Sequence, residues 1–282
     1  MAQQLTANQR GLLVAAVGLA VAAGFLAFTW IRQQQAVGDS PLAYVPSEGG
    51  SVIRLRVDML RTAGLFQLSK IPKEGEYQEF IAATGFDFER DLDEIVLWIS
   101  AEENYYIARG RFAWPKLREY VSANGGRCVD RVCTMAASQT GKSVSFFPLG
   151  PDLLGVALSK DPYAAAMLKK GEKQLPLPCP AESPAAISLR PVELQPWFRQ
   201  YEGLKEMARA ELCLNAEDRA ATVQLQFVLH GEEQAARLAP SFQEMVTRLG
   251  GEKTEVEGKR VWAKWTLEWE KLAALFAEGE KP

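Results

Sequence analysis

Residues 51–60, SVIRLRVDML, alternate Ile53, Leu55 and Val57 with Arg54 and Arg56, the period of a strand with one buried face. Residues 185–194, AAISLRPVEL, repeat the pattern, with I-x-L-R at 53–56 and again at 187–190. Each strand leads into a predicted helical stretch; in the second, Trp197, Tyr201, Leu204 and Ala208 fall at helical spacing. A hairpin follows in each half. Residues 94–100 (EIVLWIS) turn into 105–111 (YYIARGR), and 211–215 (ELCLN) turn into 221–231 (ATVQLQFVLHG). Helices come next, with Trp114, Leu117 and Val121 on one face of the first and Leu238, Phe242, Met245 and Leu249 on one face of the second. Both end in Gly-Gly, at 125–126 and 250–251, a left-handed C-cap signal, while Pro240 predicts a kink or split in the second. Strand hairpins around RCVDRVCTM (127–135) and TEVEGKRVWAKW (254–265) follow. Only the first half has further strands, VSFFP (144–148) and LLGVAL (153–158), before a predicted helix at 161–170. An amphipathic helix with Trp269, Leu272 and Phe276 closes the chain.

Each half therefore reads β-α-β-β-α-β-β. The expected class is α+β, a duplicated unit of antiparallel sheet with helices packed on one face. The halves are residues 51–170 and 185–282, joined by the connector 171–184 (GEKQLPLPCPAESP), whose four prolines favour a stiff, extended chain.

Residues 11–31, GLLVAAVGLAVAAGFLAFTWI, carry no charge. As a helix rising ~1.5 Å per residue they would span roughly 31 Å, the thickness of a bilayer core. Trp30 suits a membrane interface, and the run exceeds the ~7–15 apolar residues of a cleaved signal peptide. The expectation is an uncleaved transmembrane signal anchor, with residues 1–10 as a short cytoplasmic tail and 32–50 as a linker. Ala16, Ala20 and Gly24 form a small-xxx-small row suited to helix packing in lipid.

Two of the 32 basic side chains, Arg10 and Arg32, flank that run, leaving 30 basic against 35 acidic groups in the remainder. No long basic run occurs, so nucleic acid is not an expected partner. An extracytoplasmic domain predicts disulfides among the four cysteines, Cys128, Cys133, Cys179 and Cys213. Four cysteines allow three connectivities; proximity in sequence favours Cys128–Cys133 and Cys179–Cys213. Zinc is disfavoured because the CxxC pairs common in such sites are absent.

No catalytic, cofactor-binding or metal-binding set emerges. Asp87, Glu89, Asp91, Asp93 and Glu94 form the densest acidic stretch, but a calcium loop would need a glycine that is missing. Residues 139–143 (QTGKS) end like a phosphate-binding loop but lack its upstream glycine at 136. The single histidine, His230, shares a strand face with Gln224 and Gln226 and reads as solvated. Trp262, on the face opposite Trp265, is the leading aromatic for a partner contact, with Trp98 and Tyr106 as further candidates.

The chain resembles uncharacterised bacterial signal-anchored proteins with a large extracytoplasmic α+β domain. The resemblance rests on the anchor, GFDFERDLDEIVLWIS (85–100), YYIARGRF (105–112) before a helix, and the Gly-Gly pairs that precede strands, and extends over most of residues 51–280. It implies architecture and no activity; the anchor, with a short tail before it and a large domain after it, and the cysteines set the expectation of a single-pass place in the inner membrane with the large domain on the periplasmic side. The functional expectation is a non-enzymatic anchored domain that binds a protein partner or serves as accessory subunit of a membrane or envelope complex. The alternative is an extracytoplasmic hydrolase or small-ligand-binding protein, using carboxylates such as Asp87, Glu89 or Asp91, or a cleft between the halves.

Overall fold

The computed structural model describes residues 40–46, 49–68, 75–138, 141–171, 177–190, 207–217 and 220–272. The apolar run 11–31, with Ala16, Ala20 and Gly24, lies outside them, as do Trp197, Tyr201, Leu204 and Phe276. Among the described residues no helix is long and apolar enough to cross a membrane.

The first-half strands are β1 (Ser51–Arg56), β2 (Leu92–Ile99), β3 (Asn104–Gly110), β4 (Arg127–Val129), β5 (Val132–Ala136), β6 (Ser143–Pro148) and β7 (Leu153–Ser159). The second half adds β8 (Ala185–Leu189), β9 (Met207–Ala216), β10 (Ala220–Leu229), β11 (Thr254–Glu257) and β12 (Arg260–Glu268). All join one antiparallel sheet in the order β11-β12-β10-β9-β8-β1-β2-β3-β7-β6-β5-β4. The halves meet where β1 pairs with β8, Val52 opposite Ser188 and Arg54 opposite Ala186. The two I-x-L-R strands thus form the central joint, and no cleft divides the described halves there. Ala208, expected on a helix, belongs instead to β9, opposite the end of β10.

The halves match outward from this joint: β1-β2-β3 against β8-β9-β10. They then diverge. In the second half the hairpin that follows the Gly-Gly pair, β11–β12, lies directly beside β10. In the first half the equivalent hairpin, β4–β5, is displaced to the edge because β6 and β7 occupy the place beside β3. Two strands inserted into an antiparallel ladder keep its alternation, so the flanking strands need not reverse.

The face bearing the α-helices is called the front. The helix Glu232–Arg248 packs Ala235, Phe242 and Val246 on Leu225, Val261 and Ala263. The helix Trp114–Ala123 buries Leu117 and Val121 near the far edge, and Val57–Thr62 and Leu65–Leu68 cover the middle. A core of Leu60 and Leu65 with Ala185, Leu214, Val223 and Leu267 draws on both halves. Both Gly-Gly expectations hold in detail. Gly125 and Gly250 adopt φ of 76° and 88°, and Gly126 and Gly251 donate their N–H groups to Val121 and Val246, the Schellman pattern.

Three further expectations change. The helix with Pro240 is not split: Glu232–Arg248 is one continuous helix. Pro240 and Ala236 are exposed, so the carbonyl that proline leaves without its helical donor faces water. The helix expected at 161–170 is a single 3-10 turn, Ala164–Met167, that caps the back face through Ala164 and Ala165. Finally, Pro41–Tyr44 and Val45, expected in the linker, are packed chain: a 3-10 turn that buries Leu42 and Val45 against Val52 and Trp98. Short apolar residues without periodicity carry no strand or helix signal, so this strap reads as tether in the sequence.

Candidate functional site

One register row crosses all twelve strands on the back face. It runs Arg127, Thr134, Ser145, Ala157, Tyr105, Trp98, Val52, Ser188, Glu211, Gln226, Trp262, Glu255. Its two halves differ in cover. On the first-half side, the strap Pro41–Val45, the turn Ala164–Met167 and Leu168 lie over it, with Leu153 and Ile107 in a second apolar core. On the second-half side the exposed or half-exposed residues are mostly polar, Arg209, Glu211, Gln224, Gln226, Lys264 and Thr266 around Trp262, with Val228 between Arg209 and Arg260.

This row separates the candidate aromatics. Trp98 is only 7% exposed and lies against Leu42, Val45 and Tyr105, its ring centroid 5.6 Å from that of Tyr105. A Cβ at Gly50 would collide with the Trp98 indole, so the backbone itself closes over the ring. Trp98 is therefore a core residue and not a partner contact. Alternation along the strand shows that Trp98 and Val96 share a face but not that a strap covers it. Tyr106 points to the opposite, helix-bearing side, in register with Leu97 and Val156, and is half-buried. Trp262 is the half-exposed aromatic on the open side, between Gln226 and Glu255 in register.

Beside Trp262 the open side hollows into a groove of about 330 Å³. Its floor is Arg209, Glu211 and Cys213 of β9, Gln224 and Gln226 of β10 and Arg260 of β12; Leu177 and Pro178 of the connector form a wall. The groove exists because β9, β10 and β12 place polar residues at alternate positions while Leu225, Val261 and Ala263 turn to the front core. The connector is held over it by the Cys179–Cys213 disulfide, Cα atoms 5.5 Å apart, and by the Ser183 hydroxyl, which donates to Asn215 Oδ1 at 2.6 Å. Glu211 accepts from Gln226 Nε2 at 3.1 Å and from Arg209 Nη1 at 3.2 Å. Its carboxylate is thus held as an acceptor between two donors, with Ser188 of β8 opposite it in register. Cys213 is oxidised, and among the described residues no three His, Cys, Asp or Glu side chains are placed to hold a metal. The groove's open chemistry is hydrogen bonding by amides and guanidinium groups next to an indole.

A second polar concentration lies on the covered side. Arg54 Nε donates to Glu94 Oε1 at 2.7 Å, with side chains 8% and 6% exposed. Arg109 approaches the other Glu94 oxygen and Asp152, each at 3.6 Å. The four charges neutralise one another across β1, β2, β3 and the start of β7, which suits a device that pins strand register.

The acidic stretch 87–94 is local structure. Asp87 caps the turn Phe88–Asp91 by accepting from Glu89 N, while Asp91 accepts from Asp87 N at 3.0 Å. Asp91 also accepts from Arg90 and pairs with Arg111 at 3.1 Å. The Arg90 guanidinium, aided by the Asp87 amide and Arg111, holds the Asp91 carboxyl down at about 2 despite its burial. None of Asp87, Glu89 and Asp91 lines the groove. Gly141, in the QTGKS stretch, has φ of 77° and leads directly into β6, so a strand follows where a phosphate loop would need a helix. His230 is exposed just past β10. The other disulfide, Cys128–Cys133, joins directly opposed residues of the β4–β5 hairpin, Cα atoms 4.0 Å apart. Both pairings favoured by sequence proximity are thus the ones formed, and no described cysteine is free.

The sequence singles out Trp262 and the four cysteines. It misses Arg209, Glu211 and Arg260; the polar positions on adjacent strands were the available signal, but only the pairing brings them together.

No protein-family model matches this chain, and no curated protein sequence does. Solved structures are similar in fold. Crystal form I of TP0453 superposes with a TM-score of 0.53 at 14% identity, covering 86% of this chain and 98% of that one. Crystal form III gives 0.51 at 13% identity, with 86% and 99% covered. At these identities the chain is similar to TP0453 in fold alone.

Proposed function

We propose that this protein is a non-enzymatic, membrane-anchored extracytoplasmic domain that docks a protein partner on the open half of its back face. One observation carries the reading: the same sheet face is sealed by the chain's own strap and turns in one half and left polar around Trp262 in the other. A surface with a half-exposed indole, two guanidinium groups and two carboxamides has the composition of a recognition site more than of a reaction centre. The uncharged run 11–31 supports a single-pass inner-membrane anchor, and the two disulfides support an oxidising, periplasmic side for the sheet. The matched order of β1-β2-β3 and β8-β9-β10, together with paired Gly-Gly caps, supports duplication of an α+β unit.

Affinity purification of the full chain in mild detergent tests this. A stoichiometric partner should co-purify with the wild type and be lost with Trp262→Ala. Recovery of no partner, or one indifferent to Trp262, argues against it. The groove of about 330 Å³ favours one second reading, a small polar ligand between Arg209, Gln226 and Arg260. In that case Arg260→Ala would abolish ligand capture while partner recovery stayed absent.

A further inference from the structure

The two edges of the sheet are built alike and charged oppositely. Each edge strand is the first arm of a hairpin with a two-residue turn: Asp130–Arg131 between Val129 and Val132, and Gly258–Lys259 between Glu257 and Arg260. In such hairpins the residues flanking the turn bond to each other, and backbone groups point inward and outward alternately before them. Val129 and Glu257 therefore face inward, and Cys128 and Val256 present their N–H and C=O groups to the outside. Thr254, two residues further from the turn, follows the same alternation: its N–H turns away from β12 and donates to Gln243 Oε1 at 3.0 Å.

Aligning the outward groups of Cys128 with those of Val256 sets one antiparallel register. Arg127 then falls opposite Glu257, and Val129 opposite Glu255. Arg127 and Glu257 are both exposed and lie on the same back face, and neither has an ion-pair partner among the described residues. Val129 and Val256, 53% and 48% exposed, are among the few large apolar side chains left in solvent, one on each edge. Polarity also fits. With twelve alternating strands, β4 and β11 run in opposite directions, so copies placed side by side in the same orientation continue the antiparallel ladder.

We infer that a second copy of this chain is the partner of each edge: β4 of one molecule adds to β11 of the next, with Arg127 against Glu257. The joint is heterologous, so every pair leaves one edge of each kind free and assembly is open-ended. A contact of two short strands is weak alone and depends on a high local concentration, such as confinement on a membrane supplies. The proposal does not depend on what docks around Trp262.

The test uses full-length chain reconstituted in lipid vesicles and treated with a zero-length carbodiimide. Arg127→Lys keeps the charge and provides an amine, so a ladder of crosslinked multimers should appear, with the coupled pair mapping to positions 127 and 257. Adding Glu257→Gln to that variant should remove the ladder. Charge reversal supplies the second arm, read by fluorescence energy transfer between labelled copies. Arg127→Glu alone or Glu257→Arg alone should lower association at least about tenfold, because like charges then face each other. Mixing the two single variants sets opposite charges against each other at both joints between unlike copies, so the mixture should form alternating multimers, and the double-reversal variant should form multimers again. Wild-type monomers at every protein density, or multimers indifferent to the reversals, would overturn the proposal.

Discussion

Trp98 and Trp262 lie on the same register row of the same sheet face, yet one is sealed beneath the strap Pro41–Val45 and the other borders an open groove. Truncating them should therefore have opposite consequences. Trp98→Ala empties a packed core site and should cost about 3–5 kcal/mol. Trp262→Ala should cost less, about 1–2 kcal/mol, because the half-exposed ring borders solvent and leaves no closed cavity. Denaturant unfolding of both variants checks this, and equal losses would contradict the division of the face.

The Arg54–Glu94 pair is buried, so removing one member strands the other charge. Glu94→Gln should destabilise by about 3–5 kcal/mol, whereas the double change Arg54→Met, Glu94→Leu should recover most of that loss. Arg109 retains Asp152 in the double variant. A double-mutant cycle in urea measures the difference; additive losses would mean that the pair does not act as a unit.

Asp91 predicts an acid limb. Its folded pKa is depressed to about 2 by Arg90 first, then by the Asp87 amide and Arg111. A depressed carboxylate stabilises above its unfolded pKa of about 3.9 and loses that contribution as pH falls through the folded value. Asp91→Asn should thus cost about 1–2 kcal/mol at pH 7, discounted because Arg90 is mostly exposed, and the gap from wild type should close between about pH 4 and pH 2. Unfolding midpoints across that range give the answer; a constant gap would assign the loss to packing.

The disulfides should differ in weight. Loop entropy assigns about 4 kcal/mol to Cys179–Cys213 and about 2 kcal/mol to Cys128–Cys133, the closed loops being 34 and 5 residues apart in sequence. Replacing Cys179 and Cys213 together by alanine should also release the connector, making 177–183 the first segment cut in limited proteolysis. The corresponding change at Cys128 and Cys133 should leave that cleavage unaltered.

Local patterning made most elements legible. Alternation at Ile53, Leu55 and Ile187 marked strands, Gly125 and Gly250 marked helix ends, and sequence proximity favoured both disulfides that form. What escaped depends on non-local pairing. Nothing near Val52 says that β8 will bond to its strand, so two expected halves become one sheet. Nothing in VSFFP or LLGVAL says that these strands will slot in beside β3. Trp98 was misjudged for the same reason, since the residues that bury it, Leu42 and Val45, belong to a segment without periodicity. The groove was invisible because Arg209, Gln226 and Arg260 become neighbours only when β9, β10 and β12 are in register.

The placement of β6 and β7 between β3 and β5 sets a rule of growth. Because every neighbour in this sheet is antiparallel, an insertion between strands must be a whole hairpin; a single extra strand there would force everything beyond it to reverse. The boundary between β10 and β12 is the matching seam in the second half, and it is unfilled. A grafted hairpin there would push β11–β12 outward while keeping strand directions, although the helix Glu232–Arg248 would then have to bridge two more strand widths to reach its present partners. The first half already lives with that demand, its helix Trp114–Ala123 having followed β4 and β5 to the rim.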